Sequence, residues 1–204
     1  TRKEQNIKTI FFFLIGDYTT FDTNVSASKT NYRLLIKEML DYASVGLHPS
    51  YFTMNNAPLL KKEKERLERI INTPIQRSRQ HYLRFSLPET YQNLIDLEVE
   101  EDYSMGYAET TGFRMGTARK TAWFDLRTNE ITGLMLQPFC YMDGTLNEYM
   151  KLSPNQAIEE VKRLKALVKE YGGNFSFIWH NETLGFKHHW KGWEPVFEES
   201  VSYS

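Results

Sequence analysis

The stretch that decides the fold is YASVGLHPSYF, residues 42–52. It follows an amphipathic run, and its residues 43–47 predict a short strand that leads into His48. In α/β enzymes the reacting side chains lie at the carboxyl ends of strands. The position of His48 therefore indicates a functional residue. The alternative is a strand-end imidazole whose hydrogen bonds are satisfied by a neighbour.

Composition indicates one large globular domain over residues 1–204. Hydrophobic residues make up 41% of the chain and aromatic residues 14%, so a large core can form. No segment rich in Gly, Ser or Pro divides the sequence. The 25 basic and 26 acidic residues give a formal charge of −1, which argues against a generic binder of nucleic acid or of membrane surfaces. The composition does not indicate an oligomeric state.

The chain shows the features of a cytoplasmic protein. Cys140 is its single cysteine, which excludes an internal disulfide and suits a reducing compartment. No apolar run approaches the ~20 residues of a membrane span. The opening TRKEQNIK is polar and does not resemble a signal peptide.

Strands and helices alternate in the predicted order of elements. Strands are predicted at residues 7–15, 43–47, 79–85, 99–102, 121–126, 133–139 and 174–179. Helices are predicted from Ser28 or Thr30 onward and at residues 61–71, 88–97 and 155–171. This alternation predicts an α/β fold with a mostly parallel sheet.

Three of these elements carry a more detailed prediction. The apolar content of residues 7–15 predicts a strand buried on both faces. The first helix is expected to bury Leu34, Leu35, Met39 and Leu40. The dense mixed charges of residues 61–71 predict a solvated helix face.

Polar side chains recur just after the predicted strands. His48 follows one strand, His81 lies with Arg79 in another, and Asp102 ends a third. His180 and Glu182 follow the last strand. If the strands are parallel, these groups meet at one rim, which is where a functional site is expected.

Five segments, in this order, resemble the polysaccharide deacetylase family, also called NodB-like or carbohydrate esterase family 4. They are KTIFFFLIGD (8–17), GLHPSY (46–51), RQHYLRF (79–85), DYSMGY with GFRMGT (102–117), and FIWHNE (177–182). The resemblance covers nearly the whole chain and is closest to a bacterial branch of deacetylase-like proteins. It implies a deformed, incomplete (β/α) barrel.

The resemblance also implies a reaction. Members of the family are metal-dependent hydrolases that remove N-acetyl groups from amino sugars of bacterial surface polysaccharide or its precursors. In the family an Asp and two His hold a divalent metal such as zinc. His48 matches the first metal histidine, and His180 matches the general acid. Arg79 matches the arginine that orients the base carboxylate.

Other residues are candidates from their positions. Asp102 is a catalytic candidate that could instead form a salt bridge with Arg79 or Arg114. A sugar-stacking platform of Tyr51, Trp179 and Tyr107 is a further interpretation, although such aromatic residues also pack in cores. The predicted substrate-contacting residues are Tyr51, His81, Arg114, Trp179 and Glu182. His81 could instead be a substitute metal ligand or a structural histidine.

The sequence departs from the family pattern in two places. The family's paired Asp residues end a strand for which the nine residues before Ile10 leave no room, so we expect them outside this chain. The family's second metal histidine comes four residues after the first, where this chain has Phe52. We therefore expect this chain to bind metal weakly or not at all. A second hypothesis follows, a non-catalytic carbohydrate-binding or scaffold relative.

Overall fold

A computed structural model describes residues 7–202 and contains a six-stranded sheet in that range. The strand order is β1-β2-β3-β4-β6-β5, with β1 and β5 at the open edges. The strands are Ile10–Leu14 (β1), Ser44–His48 (β2), Arg77–Ser78 (β3), Glu101–Asp102 (β4), Thr121–Asp125 (β5) and Glu130–Leu136 (β6).

The sheet is mostly parallel, as the alternation of elements predicts. The pairs β1–β2, β2–β3, β3–β4 and β4–β6 are parallel, and only β5 runs antiparallel to its neighbour β6. The β5–β6 connection is a short polar hairpin. Because β2, β3 and β4 are parallel neighbours, their carboxyl ends lie at the same edge of the sheet.

The helices begin and end at recognisable capping residues. The Asn56 side chain accepts a hydrogen bond from the Leu59 amide at the start of the second helix. Ser153 and Gln156 form a capping box at the start of the fourth, which ends before Gly172. The helices are Thr30–Met39 (α1), Ala57–Ile71 (α2), Glu89–Asp96 (α3), Pro154–Tyr171 (α4) and Glu194–Val201 (α5). Within residues 7–202, none of them has the length and apolar character that crossing a membrane requires.

Contacts divide the described chain into two compact units. The first contains residues 8–104 and 121–136, and therefore the whole sheet with α1, α2 and α3. The second contains residue 7 and residues 105–120 and 137–202, with α4 and α5. The largest buried side chains of the second unit's core include Tyr141, Leu146, Leu164 and Trp193.

The first strand and the first helix are more exposed than the sequence predicts. The strand β1 pairs only with β2, so it is an edge strand, and each of its residues is half-buried rather than enclosed on both faces. The helix α1 packs against α2 and buries Ile36. The predicted apolar face of α1 is wrong, because Leu34, Leu35 and Leu40 are exposed.

The charged helix α2 is not solvated throughout. Glu63 and Lys64 are both buried, although the mixed charges of this segment predict an exposed face. Lys64 is compensated by Glu68 one turn later, at 2.6 Å. Glu63 accepts hydrogen bonds from the loop after β2, which sequence spacing within the helix does not reveal.

Two predicted strands take other conformations. The strand β3 ends at Ser78, and the chain then forms a single-turn helix at His81–Leu83, where Tyr82 and Leu83 have positive φ angles. Residues 174–179 are tied by backbone hydrogen bonds to residues 140–143, but only Met142 and Ile178 form a β-bridge. The bridge is parallel, and it brings the residues that follow each strand-like segment together.

Replacing Gly106 by alanine should destabilise the second unit. A Cβ at this position would lie 2.2–2.5 Å from atoms of the Phe139 ring, which is itself buried. Overpacking of this kind costs about 1–3 kcal/mol. Chemical denaturation of Gly106→Ala measures the loss.

Gly144→Ala is the matched control in the same unit. Gly144 has φ −59° and ψ −33°, which suit alanine, and its Cβ would lie 3.4 Å from the Glu148 carboxylate. The control should be neutral or more stable by up to about 1 kcal/mol. Equal stability of the two variants would contradict the packing at Gly106.

Candidate functional site

His48 lies at the carboxyl end of β2 with both ring nitrogens in contact. Its Nδ1 is 2.5 Å from the carbonyl oxygen of Arg79. Its Nε2 is 2.9 Å from Nδ1 of His81, and the two rings meet edge to face. His81 has no counterpart in the family's metal motif. The structure nevertheless places its ring in contact with His48.

The second nitrogen of His81 faces the loop after β1. His81 Nε2 is 3.1 Å from the Phe21 carbonyl oxygen and 3.6 Å from Oδ1 of Asp22. Asp22 is fully buried and also accepts hydrogen bonds from the Tyr51 amide at 2.9 Å and the Thr19 hydroxyl at 2.7 Å. Asp22 does not match a family motif, and the only sequence signal for it is its place just after a predicted strand.

Glu63 is a second buried carboxylate in this cluster. It accepts the Ser50 amide at 2.9 Å and the Ser50 hydroxyl at 2.5 Å. Burial raises the pKa of Glu63, and the two donors from Ser50 only partly offset that rise. The backbone at position 16 lies so close to Ser50 and Glu63 that only glycine fits there. A Cβ would lie 2.7 Å from the Ser50 Cβ and 2.8 Å from Glu63 Oε1.

Four aromatic rings, those of Phe21, Tyr51, Phe52 and Tyr82, form a cluster in the first unit, and the Tyr82 ring contacts His81. Phe21 stacks on Tyr51 at 4.0 Å, and the Arg84 guanidinium lies 4.0 Å from the same ring centroid. Two groups this close cannot share one face, so both faces of the predicted sugar-stacking residue Tyr51 are covered within the chain. Open ring surface is offered instead by Tyr82, which is 65% exposed, and by Phe52, which is 49% exposed.

Arg79 and Asp102 lie at the same sheet edge as His48. Arg79 follows β3, and its guanidinium lies over the Phe12 ring at 5.4 Å. Asp102 ends β4 and is fully buried, and hydroxyl and amide groups donate to it. The donors are Ser78 Oγ (2.7 Å), Ser104 Oγ (2.9 Å), the Ser104 amide (2.9 Å) and Tyr91 OH (3.4 Å). Burial raises the pKa of Asp102 more than these donors lower it.

His180 is held by a buried carboxylate in the second unit. The bridge between Met142 and Ile178 places Asp143 beside the segment that ends at His180. Asp143 accepts His180 Nδ1 at 2.6 Å, the His180 amide at 2.9 Å and the Thr183 hydroxyl at 2.6 Å. The His180 side chain is 41% exposed. The imidazole is therefore anchored at Nδ1 while part of its ring is open to solvent.

The electrostatics of this pair favour an ionised carboxylate. Burial opposes ionisation of Asp143, but the hydrogen bond and charge of His180, with the Thr183 hydroxyl, outweigh it and hold the pKa of Asp143 below its usual range. An ionised Asp143 accepts the Nδ1 hydrogen of His180 and fixes the ring orientation. Sequence reasoning missed Asp143, and its signal was its position in FCYMDG after a predicted strand.

The remaining candidates lie in the second unit. Trp179 packs against Phe197, with ring centroids 5.1 Å apart. Arg114 and Glu182 are exposed at the surface. His48, Arg79 and Asp102 belong to the first unit and His180 to the second, so the gathering of all four at one rim stays a prediction.

The first unit contains one predicted metal ligand, His48, with a second imidazole beside it. His48 and His81 bring two imidazole nitrogens together, and imidazole suits zinc and similar ions. A catalytic zinc normally uses three protein ligands. Across residues 7–202, no three His, Cys, Asp or Glu side chains are grouped so that they could hold a metal ion. The fit is therefore partial.

Comparison with known proteins finds a likeness in structure. No protein family model matches the sequence, and no curated protein does. A crystal structure described as a "putative polysaccharide deacetylase from Mycobacterium smegmatis" matches with a TM-score of 0.60 at 14% identity. The match covers 98% of this chain, which spans 66% of the length of that structure. The likeness confirms the predicted α/β fold of the incomplete (β/α) barrel type, and at this identity it concerns the fold alone.

Replacing Asp102 by alanine or asparagine should separate its hydrogen bonds from its charge. Alanine removes the acceptor of four hydrogen bonds in a buried site, so we expect a loss of about 3 kcal/mol or more in the free energy of unfolding. Asparagine can accept from the amide and donate to the hydroxyls, so its loss at pH 7 should stay within about 1 kcal/mol. Urea denaturation measures both.

The raised pKa of Asp102 determines how its contribution to stability changes with pH. Because its pKa is raised in the folded state, its contribution to stability is complete below the unfolded value of about 3.9 and falls as the pH rises. The free energy of unfolding of Asp102→Asn should therefore increase, relative to that of the unmodified protein, from pH 4 to pH 7. A shift in favour of the unmodified protein would contradict the burial of this carboxyl.

Proposed function

We propose that the protein is a metal-dependent hydrolase that removes N-acetyl groups from amino sugars of bacterial surface polysaccharide or its precursors. The observation that carries this proposal is the pair formed by His180 and Asp143, a partly exposed imidazole fixed by a buried carboxylate. The fold likeness to a structure described as a deacetylase supports it. The implied substrate is an acetylated amino sugar and not a nucleic acid.

In this proposal His180 is the general acid. Asp143 holds the hydrogen on Nδ1, so the proton that moves is carried by Nε2. Once water has added to the acetyl carbon, the bond from that carbon to the sugar nitrogen breaks, and Nε2 gives its proton to the nitrogen. The sugar leaves as an amine and the acetyl group as acetate. Asp143 stays ionised and stabilises the imidazolium before the transfer.

The family chemistry requires a divalent metal, which when bound would polarise the N-acetyl carbonyl and lower the pKa of water. His48 is the residue of this chain that would hold it. Its Nδ1 donates to the Arg79 carbonyl, which leaves Nε2 as the ligand atom. Arg79 and Asp102 stay catalytic candidates at the same sheet edge.

The second candidate is a carbohydrate-binding relative without catalysis. Phe52 supports it, because an exposed aromatic ring stands where the family has a metal histidine. Phe52 and Tyr82 offer ring surface on which a sugar could stack. This candidate predicts binding of an acetylated oligosaccharide that leaves its acetyl groups intact.

Replacing His180 by alanine should abolish most of the turnover and leave metal content unchanged. General acids contribute roughly 10²–10⁴-fold, so kcat for acetate release from N-acetylglucosamine oligomers should fall by that factor. Asp143→Asn should lower kcat with little change in KM, because the carboxylate acts through the imidazole. The assay uses the longest form of the protein that the gene encodes, with zinc supplied.

His189→Ala is the control in the same unit, since that imidazole is exposed and its recorded polar partner is the surface residue Glu148. It should leave kcat unchanged. Loss of metal from His180→Ala would make His180 a ligand. Binding of the oligomer by the unmodified protein without acetate release would favour the non-catalytic candidate.

A further inference from the structure

We propose that His81 supplies the second imidazole of the metal site, so that a divalent cation binds between Nε2 of His48 and Nδ1 of His81. The family spacing would place that ligand at residue 52, which is phenylalanine here. His81 lies instead in the segment after β3, 33 residues after His48. The inference deepens the proposed function and rests on it for the catalytic use of the cation, but not for the binding itself.

Backbone carbonyls fix the outer nitrogen of each ring. A carbonyl oxygen only accepts hydrogen bonds, so each nitrogen that contacts one must carry a hydrogen. His48 Nδ1 contacts the Arg79 carbonyl at 2.5 Å, and His81 Nε2 contacts the Phe21 carbonyl at 3.1 Å. Both rings are therefore oriented as metal-binding histidines are, with the outer N–H donated to a backbone oxygen.

The inner nitrogens consequently face each other. When both rings are neutral, His48 Nε2 and His81 Nδ1 each present a lone pair, and 2.9 Å separates them. Two lone pairs at this distance repel unless a cation lies between them. Zinc–nitrogen bonds of about 2.0–2.1 Å place two nitrogens of a tetrahedral site about 3.3 Å apart. A ring movement of a few tenths of an ångström is enough to admit the ion.

A buried carboxylate stands behind His81. Asp22 Oδ1 lies 3.6 Å from His81 Nε2 and is held by the Tyr51 amide. A carboxylate behind a ligating imidazole fixes its orientation and increases its basicity. The negative charge of Asp22, removed from solvent, also favours a cation at the opposite side of the ring.

The segment that carries His81 is held in an unusual conformation. Tyr82 and Leu83, the two residues that follow it, have φ angles of 54° and 50°. Such angles are strained for non-glycine residues and are found where the surroundings impose them, often at functional sites. Here this turn directs the His81 ring at His48.

The ligand atoms select the class of cation. Two imidazole nitrogens suit zinc, cobalt, nickel and copper, whereas magnesium and calcium prefer oxygen ligands. Two protein ligands hold an ion less firmly than three. We therefore expect zinc or cobalt to bind this chain reversibly and to be removed by dialysis, and magnesium not to bind.

The test is a titration of the unmodified chain with zinc chloride, followed by calorimetry and by NMR of the imidazole groups. The resonances of His48 and His81 should shift together and reach saturation with one zinc ion bound per chain. Magnesium chloride should shift neither. His81→Gln and His48→Gln should each weaken zinc binding by at least about tenfold. His189→Gln, an exposed histidine of the other unit, should bind as the unmodified chain does.

Two results would overturn the inference. Zinc that shifts His48 but not His81, with His81→Gln binding normally, would remove His81 from the site. No shift of either ring at millimolar zinc would mean that only a proton lies between the two nitrogens. Because no substrate is present, these results are independent of acetate release. Acetate release that fails while zinc binds both rings would contradict the proposed function alone.

Discussion

The arrangement of the first unit depends on two buried carboxylates that accept consecutive backbone amides. Glu63 takes the amide of Ser50 and Asp22 takes that of Tyr51, directly after the strand that ends at His48. A buried amide without an acceptor costs about 1–3 kcal/mol, so the loop after β2 has one favoured path. That path fixes where His48 stands and which neighbours its ring can reach.

In the second unit a single carboxylate holds both the backbone and the ring of a histidine. Asp143 accepts the backbone amide, the ring nitrogen and a neighbouring hydroxyl around His180. In both units an acceptor contacts Nδ1 of the imidazole, the Arg79 carbonyl at His48 and the Asp143 carboxylate at His180, and Nε2 faces away from that acceptor. The proposed function assigns the two histidines different roles, His48 as a metal ligand and His180 as a general acid.

Sequence periodicity predicts the helices α1 to α4 and the strands β1, β2, β5 and β6, which depend on local order, but it wrongly predicts strands at residues 79–85 and 174–179. The alternation of elements predicts the parallel sheet, and His48 is correctly placed at the end of β2. Sequence pattern does not reveal the carboxylate acceptors, because they are far from their partners along the chain. Glu63 lies 13 residues from Ser50, and Asp143 lies 37 residues from His180. The exposed leucines of α1 depend on which elements pack beside it, and sequence pattern alone does not specify that.

The central claim is that the acceptor at Nδ1 sets the tautomer of each histidine, and NMR measures this most directly. A correlation spectrum of the imidazole nitrogens shows which nitrogen of each neutral ring carries the hydrogen. The account predicts that His48 and His180 both carry their hydrogen on Nδ1, bonded to the Arg79 carbonyl and to Asp143. A hydrogen on Nε2 of either ring, with Nδ1 bare, would contradict it.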